Sequence, residues 1–288
     1  MIKKSTIQLL RFHFSFFLMP VYWFALSQVP DIDTGKAILI FIILHMLVYP
    51  SSNGYNSYMD RDETPIGGLA NPLQPTKQLF YTSVAMDIIA IILSCFINWW
   101  FALCIVLYIL ASRAYSYRGI RLKRYPFVGY LTVIIFQGGV TYFMVFYGSS
   151  NSDTFINTSP QAILAATLLI GGFYPLTQIY QHEADKKDGV KTISSKLGYR
   201  GTFIFTGIVY LLAFLILADW FFITLQTREF LVLQIFLVPI LVYFFIWAKK
   251  VWKNEAEANF KNTMRMNLLA SACTNLGFIT VLILNHLG

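Results

Sequence analysis

Apolar runs of about 20 residues, separated by short polar connections, recur along the whole chain. A bilayer core needs roughly 20 apolar residues per helical crossing. On that ruler the pattern predicts nine spanning helices, over 9–28, 36–58, 78–97, 100–117, 126–148, 160–182, 201–221, 230–251 and 264–285. The expected fold is therefore all-α: a polytopic membrane protein of about nine transmembrane helices around a central cavity. One transmembrane domain accounts for residues 1–288, with no stretch left over for a separate soluble domain. Pro20, Pro175 and Pro239 fall inside predicted spans and should kink them. The pairs Gly138-Gly139 and Gly171-Gly172 would allow close helix approach or leave room for a ligand. The order helix, acidic stretch, two helices, basic connection, helix occurs twice, which suggests a pseudo-repeat.

Composition agrees with this reading. The chain is 57% hydrophobic and only 12% charged, whereas a soluble domain is nearer a quarter charged. Cys95, Cys104 and Cys273 all lie inside apolar runs without metal-type spacing, as small buried hydrophobes do. Lys3 and Lys4 before an apolar run resemble a signal peptide. The run continues through Phe16, Phe17, Pro20, Tyr22 and Trp23 instead of reaching a small-residue cleavage site, so a retained first helix is expected.

The formal charge of +8 would suit nucleic acid in a soluble protein, but here the placement of the cations matters more than their sum. Twenty Lys and Arg residues fall on one side of the predicted layout, and only Lys36 and Arg228 on the other. The positive-inside rule then puts the N-terminus and both acidic stretches in the cytoplasm and the C-terminus outside, which in a bacterium would mean the inner or plasma membrane. The lipid bilayer is the expected macroscopic partner, with no nucleic acid.

Acidic residues are scarce, and that scarcity singles out two places. Of 14 in the chain, Asp60, Asp62 and Glu63 lie in the stretch 53–68, and Glu183, Asp185 and Asp188 lie in 181–192. Each stretch follows an apolar run on the predicted cytoplasmic face, where unpaired carboxylates are costly and so are functional suspects. Asn56 and Asp60 are four apart and stack on one helical face; Gln181, Asp185 and Asp188 do the same, with Glu183 on another side. Mg2+ takes one or two carboxylates and completes its octahedron with water and phosphate oxygens. Two such helix ends facing each other would hold a diphosphate through bridging Mg2+. The connection 115–124 adds Arg118, Arg121, Lys123 and Arg124 on the same face, and guanidinium forks match phosphate oxygens. Its other reading is a positive-inside anchor on anionic lipid. Asp87, in mid-span, stands as an unpaired intramembrane carboxylate, open to a helix-packing or a catalytic role. His182, beside the second cluster, is a candidate ligand or proton relay.

These residues resemble the UbiA superfamily of intramembrane prenyltransferases, over nearly the whole chain. The family's first motif, Asn-x-x-x-Asp-x-x-x-Asp, falls on Asn56 and Asp60, with Thr64 at its third position. The second, Asp-x-x-x-Asp, falls on Gln181 and Asp185. Gly189-Val190-Lys191-Thr192 looks like the family's continuation, and 115–124 like its basic connection. The resemblance implies nine helices with the two motifs at the ends of the second and sixth. It implies a transferase that moves an isoprenoid chain from a prenyl diphosphate to a lipophilic, aromatic or quinone-precursor, acceptor, with Mg2+ as cofactor and Mn2+ as its substitute. Asp60, Asp185 and Asn56 become the expected catalytic residues. Asn56, Asp60, Asp62, Glu63, Glu183, Asp185 and Asp188 become the expected metal ligands, and Arg118, Arg121, Lys123, Asn53 and Lys186 the expected diphosphate contacts. An allylic cation needs a dry pocket with aromatic faces, which Phe136, Tyr142, Phe143, Tyr174 and Tyr180 on central helices could supply.

Two other readings fit the same residues. A cation-coupled transporter would use the carboxylates as ion ligands, although such sites lie near mid-membrane on broken helices. A non-catalytic relative would explain Thr64 and Gln181.

Overall fold

The computed structural model describes residues 2–151 and 158–287. Eight helices are long and apolar enough to cross a membrane: α2 (Thr34–Asp60), α3 (Lys77–Ser94), α4 (Trp99–Ser116), α5 (Pro126–Gly148), α6 (Pro160–Lys187), α7 (Ile193–Ile223), α8 (Thr227–Lys253) and α9 (Phe260–His286). A bent pair, Lys4–Phe17 with Met19–Ser27, makes a ninth span, α1. Its two halves meet at 41°, with Pro20 in the first turn of the second half, where a missing N–H does least harm. The all-α, polytopic architecture is therefore the one the hydrophobic pattern predicts, with several ends displaced by a few residues and the start of α7 by the most. Helix α7 begins at Ile193 rather than 201 because the chain is helical on both sides of a kink at Gly198, whose φ is 71°.

Consecutive helices pack against each other around a closed ring, and α9 returns to α1. Polar side chains lock that closure. Asn275 Nδ2 donates to the Phe16 backbone oxygen at 3.2 Å, and Asn285 Nδ2 to that of Ser27 at 2.8 Å. Glycine serves close approach between α5 and α6. A Cβ on Gly138 would stand 2.6 Å from Thr167 Cα, so the two backbones could not approach as they do.

Both α2 and α5 contain a π-helical turn, at Ile42–Val48 and Ile135–Val140. In α2 the turn leads into Pro50, which lacks an N–H and cannot complete the α-helical ladder.

Asp87 is not unpaired. It forms an ion pair with Arg113, from the last turn of α4, and accepts a hydrogen bond from Ser51 on α2. Arg113 Nη2 also donates to Ser51 Oγ at 2.7 Å, and its guanidinium lies 4.1 Å from the centroid of Tyr55. The expected cytoplasmic cation is thus turned back into the bundle, and it ties α2, α3 and α4 together just below the first acidic stretch.

Candidate active site

Helix α2 delivers the first stretch. It carries Asn56 and Asp60 on one face and stops at Arg61, whose φ is 54°. The following loop folds back, bridging Ile66 to Leu69, and lies on α1. There Arg11 Nη1 donates to the Gly67 oxygen at 3.2 Å and Nη2 to the Asn53 oxygen at 3.3 Å. Gly68 closes the loop with φ of 83°, a conformation that favours glycine.

Helix α6 delivers the second stretch. A 3-10 turn at Ile179–Gln181 leads into the last helical residues, His182–Lys187. Gly189 then adopts φ of 67°, and Val190 N–H donates to the Asp185 oxygen at 2.8 Å. That six-to-one bond with a glycine after the cap is a Schellman motif, which Lys-Asp-Gly-Val encodes locally.

The basic connection between α4 and α5 joins the two. Arg121 pairs with Asp188 and lies 3.5 Å from Asp60 Oδ1, while Lys123 pairs with Asp60. Arg118 Nε donates to the Met59 oxygen at 2.7 Å, satisfying a carbonyl at the end of α2. Its guanidinium is 4.0 Å from the Asp188 carboxylate. Among the described residues only four non-glycines have positive φ, and three of them, Arg11, Arg61 and Arg121, surround this site. Such strained arginines persist where the surroundings hold them.

A cavity of about 150 Å3 opens between these elements. Asn56, Asp60, Asp62, Gln181, Asp185 and Asp188 all line it, with Lys123 and Arg11 as its cations. The two acidic stretches thus meet at one place, as the sequence predicts. Burial, then the nearby Asp60 charge, holds the Asp62 carboxyl above its ordinary pKa. Asn56 donates its amide N–H to Ser116 Oγ at 3.0 Å. The deeper wall is aromatic: Tyr115 and Tyr174 share a hydrogen bond between hydroxyls, and Gln178 Nε2 donates to Tyr174 at 2.8 Å.

Several expected residues lie elsewhere. Glu63, Glu183 and Lys186 are exposed, and Asn53 sits behind the cavity, its backbone oxygen taken by Arg11. His182 bonds Ser194 Oγ at 2.8 Å and stacks on Tyr199, away from the lining. Of the five aromatics expected around the pocket, Tyr174 and Tyr180 line it, while Phe136, Tyr142 and Phe143 belong to the hydrophobic core or pack on it. Arg11, one of the twenty cations on the predicted cytoplasmic side, lines the cavity as well. Its position inside the apolar run Leu9-Leu10-Arg11-Phe12 was the signal of an intramembrane function.

Oxygen ligands on two helix ends suit Mg2+, which is rarely caged by protein alone. Among the described residues no three His, Cys, Asp or Glu side chains form a ready-made cage. The charge count points the same way. Four carboxylates and two cations line the cavity, so its lining has no positive surplus with which to hold a diphosphate.

The described residues thus form a helical membrane bundle whose two acidic helix ends meet at one polar cavity. Residues 15–269 match the UbiA prenyltransferase family, and the chain belongs to it, as a transferase of prenyl groups. The fold is similar to that of a UbiA homolog from Archaeoglobus fulgidus bound to GPP and Mg2+. The TM-score is 0.71 at 17% identity, over 97% of this chain and 99% of that one. An apo UbiA homolog from Aeropyrum pernix K1 gives 0.69 at 18% identity, over 93% and 97%. A digeranylgeranylglyceryl phosphate synthase gives 0.60 at 18%, over 96% and 98%. Among curated proteins none matches the chain.

Proposed function

We propose that this protein is a Mg2+-dependent intramembrane prenyltransferase that moves an isoprenoid chain from a prenyl diphosphate to a lipophilic acceptor. The observation that carries this reading is Arg121 between Asp60 and Asp188, which puts both acidic stretches and the basic connection at one cavity. The Archaeoglobus homolog with GPP and Mg2+ supports it. Asn56, Asp60, Asp62, Asp185 and Asp188 would hold the metal, with Mn2+ as a substitute. When bound, the metal neutralises charge developing on the leaving diphosphate.

The chain's own groups do the rest. Arg11, buried and with Nε unpartnered, and Lys123 both line the cavity and offer donors to the diphosphate. Tyr115, Tyr174 and Tyr180 offer ring faces to the allylic carbon and help to exclude water. The bond from that carbon to the diphosphate oxygen breaks, and the diphosphate leaves with the electron pair. The acceptor's nucleophilic atom bonds to the carbon and releases a proton. The whole chain acts as one transmembrane domain, with the N-terminus and the site on the cytoplasmic face and the C-terminus outside, following the cation count.

Purified protein, Mg2+, labelled prenyl diphosphates and a panel of acceptors, with products read by mass spectrometry, test this. Prenylated acceptor and free diphosphate are expected. Cation flux in liposomes without prenyl-diphosphate turnover would replace the reading with a transporter.

A further inference from the structure

We propose that the first segment of α1, residues 3–14, is a strap that holds the loop between α2 and α3 against the cavity, with Gln8 as its positioning residue. The inference rests on the prenyltransferase reading, in which Asp62, at the start of that loop, helps to hold the metal. Residues 61–76 form no helix, and their one backbone bridge joins Ile66 to Leu69. A loop of that length keeps one conformation only where something outside it fixes it, since each ordered residue costs backbone entropy. Most of what fixes this loop belongs to α1.

Gln8 pairs with the loop's backbone as a neighbouring strand would. Its Nε2 donates to the Asn71 oxygen at 3.2 Å, and its Oε1 accepts from Leu73 N–H at 2.9 Å. Arg11 Nη1 holds the Gly67 oxygen at 3.2 Å, and His13 Nε2 the Gly68 oxygen at 3.1 Å. The surfaces meet closely there: a Cβ on Gly67 would stand 2.6 Å from the Phe14 ring. On the apolar side Ile66 is buried in one cluster with Leu9 and Leu10. From α6 the loop receives one long bond, Gln181 Nε2 to the Pro65 oxygen at 3.5 Å. Docking α1 on the bundle does not require the Gln8 pair. Thr6 Oγ1 and the Lys3 backbone N–H already bond Gln78 Oε1 on α3, at 3.1 and 2.7 Å. The Gln8 amide is directed to the loop instead. Arg11, left-handed with φ of 48°, then ends the helical stretch Lys4–Leu10, and its guanidinium reaches both the loop and the cavity. A loosened loop would leave Asp62 to be ordered by the metal itself, which lowers metal affinity.

The test uses the full solubilised chain and three variants, Gln8→Ala, Gln8→Glu and Thr6→Val. Without metal, amide hydrogen exchange over 61–76 is followed by mass spectrometry. Gln8→Ala should speed exchange in the loop, Leu73 included, by roughly tenfold, as two lost neutral hydrogen bonds imply. Thr6→Val, which touches only the bond to α3, should leave the loop at the wild-type rate. Gln8→Glu keeps an acceptor for Leu73 N–H and should restore part of the protection. With Mg2+, binding of a fluorescent prenyl diphosphate analogue and turnover are then titrated. The Mg2+ needed for half-saturation should rise roughly five- to tenfold in Gln8→Ala, with kcat at saturating Mg2+ within about threefold. A merely structural role would lower folded yield and kcat together and leave the Mg2+ requirement alone. Wild-type exchange in the Gln8→Ala loop overturns the inference. So does a Mg2+ requirement that Thr6→Val raises as much as Gln8→Ala does. If Gln8→Ala fails to fold, Gln8→Glu against Thr6→Val gives the same comparison. Absence of turnover in the wild type, with loop exchange still set by Gln8, would count against the enzymatic reading and not against the strap.

Discussion

Arg121 grips Asp188 twice, through Nη1 to the backbone oxygen at 3.2 Å and through Nη2 to the carboxylate, and the same Nη2 lies 3.5 Å from Asp60. One guanidinium therefore spans the ends of α2 and α6. Lysine has a single point of charge and cannot make the same fork. Arg121→Lys should keep the fold and weaken prenyl diphosphate binding by roughly tenfold, and Arg121→Ala by more. Titration with and without Mg2+ checks this. Affinity unchanged in Arg121→Ala would make the bridge incidental to binding.

Asp87 and Arg113 lead to a separate expectation, about stability. Removing one partner of a buried pair leaves the other charge uncompensated, at about 3–5 kcal/mol. Asp87→Ala should therefore lower the unfolding temperature in detergent sharply. Asp87→Ala with Arg113→Leu should recover much of the loss, since no orphan charge remains. If the double variant is no more stable than the single one, the pair is not the source of the cost.

How much of this was legible beforehand depends on distance along the chain. The helices follow from runs of about 20 apolar residues, and the turn at Lys187–Val190 follows from Asp-Gly after a helix, both local signals. Asp60 and Asp185 stood out because acids are rare here, so a count found them. Arg113 did not: it reads as a cytoplasmic anchor until α3 brings Asp87 beside it. Arg11 is readable from its apolar flanks, but a charge count over the whole face does not separate it from the anchors.

Asp62 carries a pH prediction. Its folded pKa is raised, so the folded state favours the protonated carboxyl. Without metal, stability should rise as pH falls through that raised pKa, and should be lost again as pH climbs through it. Mg2+ affinity should move the opposite way, because protons compete for the same oxygens. Melting curves from pH 7 down into the carboxylate range, with Mg2+ and with chelator, separate the two trends. Parallel trends would remove Asp62 from the ligand set.

Topology is checked by single cysteines. Positions 62 and 187 should react with an impermeant reagent from the cytoplasm, and position 34 from outside. Both acidic stretches line one cavity, so 62 and 187 must label from the same side. Labelling of that pair from the outside would reverse the orientation drawn from the cation count.

The last expectation concerns Asp185 and the amide at Gln181. The Asp185 side chain lines the cavity but makes no hydrogen bond or ion pair among the described residues, whereas Asp60 is held by Lys123 and Arg121. Asp185→Ala should therefore leave the protein at least as stable, because a largely buried carboxylate without a partner costs folding energy, and still lower turnover by a hundredfold or more. A loss that large, about 2.7 kcal/mol in the barrier, is what removing a metal ligand from the transition state entails. Asp60→Asn keeps the shape and one oxygen while removing the charge. It should also cost turnover, with some loss of stability as Lys123 and Arg121 lose their partner. Gln181 can offer only a neutral carbonyl oxygen, so Gln181→Ala should cost less than Asp185→Ala, and Gln181→Asp should tighten the dependence on Mg2+. The four variants are compared at saturating prenyl diphosphate with varied Mg2+, and yield after detergent extraction controls for folding. Wild-type turnover in Asp185→Ala would mean that the α6 carboxylate plays no part in the reaction, and the site would then have to be redrawn around α2 and the basic connection alone.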